Sequence, residues 1–182
     1  MMKEKLVIKN QNFTGERALF MTNDALFENV LFHDGESPLK ESSNLVVNSC
    51  TFQWKYPLWY TNNVEVNDST LLETARSGIW YANHLKMNKC LIEAPKTFRR
   101  ANDIVLNDCT MPNASETFWE CTNIKLKNIK ANGDYLLMNS SDIEIDNLVL
   151  NGNYLLDGGK NIVIKNAFDH WFYLTIIIWN NL

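Results

Sequence analysis

The chain has 182 residues, with 17 Lys and Arg against 21 Asp and Glu, and its formal net charge is −4. Its length suits one domain, and the two signs of charge are mixed along it without the basic stripe of a nucleic-acid-binding protein. We therefore predict a single domain over residues 1–182 and no nucleic-acid partner.

The ends of the chain carry no recognisable targeting or membrane segment. Residues 1–10 contain only a four-residue apolar stretch flanked by charges, unlike a secretory signal. The closest approach to a membrane span, residues 171–179, is far shorter than the roughly 20 apolar residues that a spanning helix needs. A cytoplasmic protein without a membrane partner is expected.

The first predicted elements form an N-terminal coil or cap over residues 1–22. Residues 5–10, KLVIKN, alternate as a strand does, and Lys5 lies 19 residues before Asp24. From there the same register recurs every 19 to 21 residues, each time as a polar corner residue followed by an apolar–x–apolar strand. The corner residues are Asp24, Asn44, Asn63, His84, Asp103, Asn123, Asp142 and Asn161. A fixed period near 20 indicates a solenoid, in which each repeat packs on its neighbours.

Alignment of the repeats on the corner residue places apolar side chains in fixed columns. The column one residue after the corner contains Ala25, Leu45, Val64, Leu85, Ile104, Ile124, Ile143 and Ile162. The column three residues after it contains Phe27, Val47, Val66, Met87, Leu106, Leu126, Ile145 and Ile164. The residue between the two is Lys, Glu or Val in most repeats. This alternation predicts strands with one buried face.

Polar residues, mostly Asn, end each predicted strand four and five residues after the corner. The first of these positions is Asn in four consecutive repeats, at Asn48, Asn67, Asn88 and Asn107. Asn and Asp tolerate the left-handed backbone conformation, and stacked coils about 4.8 Å apart bring such side chains into hydrogen-bonded ladders. We interpret these residues as structural and not as catalytic carboxamides.

Other solenoid classes fit the pattern less well. A hexapeptide helix would show a six-residue subperiod, and a leucine-rich repeat would place its Asn later and follow it with a helix. The sequence therefore predicts an all-β, single-stranded, right-handed parallel β-helix of about eight coils of 19–21 residues. The pattern degrades after Asn166, so residues 168–182 are predicted as an irregular C-terminal coil, either truncated or covered by a partner.

The most distinctive surface feature lies three and four residues before the corner. We call it the aromatic strip; it consists of Trp59, Tyr60, Trp80, Tyr81, Arg99, Arg100, Trp119 and Glu120, with Glu41 beside it. Aromatic rings on adjacent coils are close enough to stack, and Arg99 is expected between Trp80 and Trp119 in a cation–π sandwich. Two interpretations stay open: a platform for a sugar chain or another flat polar ligand, and a rigidifying ladder or oligomer interface.

No metal site, cofactor or catalytic set is predicted. Cys50, Cys90 and Cys109 fall in one inward column, where they act as small apolar residues. No Cys or His cluster has the spacing of metal ligands. Carboxylates are plentiful, but a solenoid stacks any surface residue type into columns, so their alignment alone indicates nothing.

Five segments of the chain resemble a known family, and the resemblance covers about residues 5–168. The segments are residues 13–20, 34–42, 55–60, 98–100 and 117–119. They resemble an uncharacterised bacterial family of single-stranded right-handed β-helix proteins. The resemblance implies the fold of pectate lyases and no established activity.

Two functions follow as hypotheses. The first is a non-catalytic cytoplasmic β-helix that binds a carbohydrate or protein partner through the aromatic strip, or forms a homo-oligomer through the strip or the C-terminal edge. The alternative is a carbohydrate-active enzyme, a polysaccharide lyase or glycoside hydrolase, on the same face. The sequence leans against an enzyme, because it lacks the Asp cluster and the Arg-x-Lys motif of catalytic β-helices.

Overall fold

The computed structural model describes residues 5–169 and 172–179, with side chains described up to residue 168. Within these ranges the chain winds into a parallel β-solenoid of about nine turns. The predicted fold class is confirmed, and the N-terminal strand at residues 5–10 accounts for the first turn.

Each coil contributes one long strand and, in the first six coils, a second strand of two residues. The strands are β1 Leu6–Lys9, β2 Asn12–Phe13, β3 Asn23–Glu28, β4 Leu31–Phe32, β5 Ser43–Asn48, β6 Thr51–Phe52, β7 Asn62–Asn67, β8 Thr70–Leu71, β9 Asn83–Asn88, β10 Leu91–Ile92, β11 Asn102–Asn107, β12 Thr110–Met111, β13 Thr122–Asn132, β14 Ser141–Asn151, β15 Lys160–Asp169 and β16 Phe172–Trp179. The helical segment is a 3-10 turn, Glu73–Ala75. Across the described residues, no helix has the length and apolar character needed to cross a membrane.

The predicted columns are the registers of the parallel sheet. Leu45 pairs with Ala25 on one side and Val64 on the other, and the column continues to Ile143 and Ile162. The side chains of these columns are almost fully buried. Phenylalanine rings also stack inside the solenoid, as in Phe98 and Phe118, whose centroids are 4.4 Å apart. The core is therefore continuous from coil to coil.

Asparagine ladders run along the outside of the coils. Asn67, Asn88 and Asn107 each donate Nδ2 to the Oδ1 of the Asn on the preceding coil, beginning at Asn48, with distances of 2.9, 2.7 and 2.9 Å. The corner residues form similar bonds, such as Asn44 Nδ2 to Asp24 Oδ1 at 2.8 Å. The predicted ladders of Asn side chains are confirmed.

Large apolar residues also adopt the left-handed conformation, which the sequence did not predict. Leu58, Ile79, Phe98 and Phe118 have φ between 57° and 60°. A left-handed residue with a Cβ atom costs roughly 1–2 kcal/mol. All four side chains are fully buried, so burial in the stack offsets this cost.

The C-terminal segment differs from the prediction of an irregular coil. Phe172–Trp179 forms strand β16, which pairs antiparallel with β15; Ile162 lies opposite Trp179, and Asp169 opposite Phe172. The repeat register degrades after Asn166, so it carries no signal for a strand that reverses direction. Residues 170, 171 and 180–182 lie outside the described residues, and self-association through the C-terminal edge stays a prediction.

Candidate functional site

The nine residues of the predicted site stand together at one corner of five consecutive coils. The backbone N–H of each outer residue donates to the carbonyl of the inner residue on the next coil. These bonds join Glu41 to Trp59, Tyr60 to Trp80, Tyr81 to Arg99 and Arg100 to Trp119, at 2.8 to 3.0 Å. The strip therefore has two columns: an inner column of Trp59, Trp80, Arg99 and Trp119, and an outer column of Glu41, Tyr60, Tyr81, Arg100 and Glu120.

The inner column is a continuous stack of flat groups. The indoles of Trp59 and Trp80 are nearly parallel, at 9°, with centroids 5.2 Å apart. The Arg99 guanidinium lies 5.1 Å from the Trp80 ring and 4.3 Å from the Trp119 ring. The predicted cation–π sandwich is present, and it leaves both faces of Trp80 covered.

Two indoles are also held by hydrogen bonds to the following coil. Trp59 Nε1 donates to the carbonyl of Ser77 at 2.6 Å, and Trp80 Nε1 donates to the carbonyl of Lys96 at 2.8 Å. Ser77 and Lys96 are left-handed residues, with φ of 56° and 57°. Each half-buried indole is thus fixed at both its face and its edge.

The outer column is more exposed and carries charge at its ends. The rings of Tyr60 and Tyr81 stack at 4.7 Å and 7°, and Tyr60 is 48% exposed. The Lys40 ammonium lies 5.6 Å from the Tyr60 ring. Arg100 Nε donates to Glu120 Oε2 at 2.6 Å, and this bond raises the pKa of the guanidinium above its usual value.

The charged residues of the outer column do not converge on a pocket. Glu41 lies three coils from Arg100 and four from Glu120, or about 14 and 19 Å along the axis at the spacing of paired strands. A depression of about 430 Å³ lies elsewhere, over β11 and β13–β15. Another, of about 320 Å³, lies near Asn10 and Asn29. The strip is a line of side chains along a corner.

Three further tyrosines in aromatic contacts were not predicted from the sequence. Tyr56 packs against Trp59 with centroids 4.9 Å apart, and Tyr135 and Tyr154 stack at 4.6 Å. All three stand seven residues before a corner residue, so the same alignment, extended by three positions, would have found them. Tyr56 widens the aromatic surface of the strip, and the Tyr135–Tyr154 stack stands on the two coils that follow Glu120.

Two of the four buried cysteines, Cys50 and Cys121, carry unreactive thiols. Burial raises the pKa of Cys50 and raises that of Cys121, which lies behind the strip, to about 12. Such thiols stay protonated and are poor nucleophiles. Across the side chains that the structure describes, no group of three His, Cys, Asp or Glu is placed to hold a metal ion.

Trp80→Ala should destabilise the chain by about 2–3 kcal/mol, because it removes a ring that packs on Trp59 and Arg99 and leaves a gap in the stack. Thermal or urea unfolding measures the loss. Tyr60→Ala, which truncates the more exposed ring, is the control and should cost about 1 kcal/mol. Equal and negligible losses in the two variants would contradict a packed role for Trp80.

A family model described as a protein of unknown function, DUF3737, matches residues 6–170. No curated protein matches the sequence. One similar solved structure is HetL, a pentapeptide repeat protein involved in heterocyst differentiation regulation from the cyanobacterium Nostoc sp. strain PCC 7120. It is 10% identical, with a TM-score of 0.33 over 88% of this chain and 92% of HetL. The expected relation to pectate lyases finds no support in these comparisons beyond the parallel β-solenoid itself.

Proposed function

Because the chain belongs to the DUF3737 family of unknown function, we propose its role from the geometry of its surface. It is a non-catalytic cytoplasmic interaction protein, and the aromatic strip binds a protein partner. One observation carries the proposal: the rings of the strip stack on one another and on Arg99, while Tyr60 and Arg100 beside them are exposed.

Covered ring faces argue against a sugar platform. A sugar ring binds an aromatic side chain by lying on its open face. Trp80 has Trp59 on one face and Arg99 on the other, and Tyr60 and Tyr81 each cover one face of the other. Protein interfaces need no open face, because they use the edges and polar groups of Tyr, Trp and Arg, the residue types enriched in binding hot spots.

The rigidity of the strip also favours binding. Ordering a free side chain on association costs roughly 0.5–1.5 kcal/mol. In the strip, stacking fixes Tyr60 against Tyr81, and the bond to Lys96 fixes Trp80. The surface is therefore pre-organised, and little further entropy is lost when a partner binds.

The alternative, a carbohydrate-active enzyme on the same face, has weaker support. Glycoside hydrolases hold two carboxyl groups roughly 5 to 10 Å apart. Glu41 and Glu120, the acids of the strip, stand four coils apart, about 19 Å. Glu120 already accepts a hydrogen bond from Arg100 Nε at 2.6 Å, so its carboxylate is engaged within the strip.

Site-specific photocrosslinking in living cells tests the proposed role. With benzoylphenylalanine in place of Tyr81, we expect a discrete protein adduct, because this side chain lies in the middle of the exposed column. The same substitution at Thr110, an exposed residue of β12 outside the strip, is the matched control and should give none. No adduct at Tyr81, or the same adducts at both positions, would refute a protein-binding strip. A sugar bound by the wild type and lost in Tyr60→Ala would instead support the alternative.

A further inference from the structure

We propose that the protein partner on the aromatic strip is a second copy of this chain. The two copies lie antiparallel, related by a two-fold axis that crosses the strip between the coils of Tyr60 and Tyr81. This inference rests on the proposed function, since it names the occupant of the same surface.

The order of charges along the outer column carries the inference. On four consecutive coils the column presents Glu41, Tyr60, Tyr81 and Arg100, an acid and a base separated by two tyrosines. A two-fold rotation about the middle of this series brings Glu41 opposite Arg100 of the second copy. It brings Arg100 opposite Glu41 of that copy, and Tyr60 opposite Tyr81. A single rotation therefore forms two ion pairs and joins the tyrosine stacks.

Other alignments of the same column place like charges together or leave charges unpaired. A parallel arrangement sets Glu41 against Glu41 and Arg100 against Arg100, and such like-charge contacts oppose association. An antiparallel arrangement centred on Tyr81 sets Glu41 against Glu120. One centred on Tyr60 leaves Arg100 facing Met21. The charge pattern thus selects one register.

The groups that this register pairs are accessible. The side chains of Glu41 and Arg100 are 45% and 58% exposed. Within its own copy Glu41 meets Lys40 only at 3.9 Å, so it can turn to a better partner.

In the inner column the same register sets Arg99 opposite Lys40 of the second copy, a like-charge contact flanked by the two opposite-charge pairs of the outer column. The Arg99 guanidinium is held between the indoles of Trp80 and Trp119. The Lys40 ammonium lies over its own Tyr60 ring.

The same rotation covers apolar side chains that the single chain leaves in water. Phe20 and Met21, on the coil before Glu41, are 38% and 56% exposed. The two-fold axis sets Phe20 against Trp119 of the second copy, and Met21 against the aliphatic part of Glu120. Exposed apolar groups in line with charged and aromatic ones are typical of protein interfaces.

The two copies have the same axial spacing between coils. Both rods have the same rise of about 4.8 Å per coil, so pairs formed at the axis continue outward without slipping. The paired coils, from that of Phe20 to that of Trp119, span about 24 Å along one corner. A stable complex buries about 800 Å² on each partner, and a contact along a single corner buries less surface than that. We therefore expect a dimer with a dissociation constant in the micromolar range.

Charge exchange tests the register. Glu41→Arg sets two arginines against each other, and Arg100→Glu sets two glutamates against each other, so each variant should dimerise at least about tenfold more weakly. The double exchange, Glu41→Arg with Arg100→Glu, restores both pairs and should dimerise as the wild type does. An equimolar mixture of the two single variants should form a mixed dimer, because each acid then meets a base. Sedimentation equilibrium measures the dimer affinity of the two single variants, of the double variant and of the mixture. In the mixture, one of the single variants is fluorescently labelled.

Each outcome decides the proposal. Melting curves of the variants check folding; the exposed Arg100–Glu120 pair lost in Arg100→Glu is worth little stability. A wild type that stays monomeric at about 100 µM, or single variants that fail to associate when mixed, would overturn the second copy as partner. The crosslinking experiment at Tyr81 distinguishes a failure of self-association from a failure of the proposed protein-binding function. An adduct with a different protein keeps a protein-binding strip and rejects self-association, whereas an adduct of twice the chain's mass supports both.

Discussion

Ile145→Lys should unfold the chain. Ile145 is 2% exposed and stands in the sheet between Leu126 and Ile164. A lysine there would place an ammonium group among apolar side chains with no acid to pair with it. The expected cost, more than about 5 kcal/mol, is comparable with the whole stability of a domain. Far-ultraviolet circular dichroism and thermal unfolding measure the loss.

The neighbouring residue of the same strand provides a matched control. Glu144 is exposed on the opposite face of β14, and its bond to Lys125, at 3.7 Å, joins two well-exposed groups. Glu144→Lys therefore introduces the same side chain at a cost of about 1 kcal/mol or less. An Ile145→Lys variant that melts with the wild type would overturn the assignment of inward and outward columns.

The regular part of the fold could be predicted because one rule governs each coil. Successive side chains of a strand point to opposite faces, so Ile143 and Ile145 had to share a face that excludes Glu144. The repeat period then placed the equivalent residues of other coils beside them. The strip was predicted from the same alignment, because the residues four and three before the corner occupy the same positions on every coil.

Features that depend on tertiary packing were beyond this reasoning. A β-branched residue such as Ile79 disfavours the left-handed conformation, yet it adopts φ of 57° because the stacked coils require a turn there. The hydrogen bond from Trp80 to Lys96 depends on the direction of a carbonyl in another such turn. The strip was thus predicted as a set of residues, but the covering of its ring faces was not. Of the two ligands that the sequence left open, a sugar and a protein, this covering favours the protein that we propose.

Gly35→Ala should be among the most destabilising single-atom changes in the chain, at more than about 3 kcal/mol. Gly35 has φ of 138°, a conformation that residues with a Cβ atom rarely adopt. A Cβ atom there would also fall far inside van der Waals contact of the Gly15 carbonyl on the preceding coil. Backbone atoms cannot give way as a flexible side chain can, so the two coils would have to separate. Urea unfolding measures the change.

Gly15→Ala distinguishes the conformational cost of a positive φ from the clash with a neighbouring coil, because it introduces the first and not the second. Gly15 has φ of 97°, but a Cβ atom there meets open space within 4 Å, so only the conformational cost of about 1 kcal/mol applies. The coils are joined at this margin by Gly15 N–H to Asp34 O, at 2.7 Å, a bond that their separation would break. Equal losses of stability in the two variants would mean that the backbone around Gly15 and Gly35 shifts to accommodate the added Cβ atom without further cost. A larger loss for Gly35→Ala would give a structural reason for the glycines in residues 13–20 and 34–42, two of the segments that carry the family resemblance, without any role in binding.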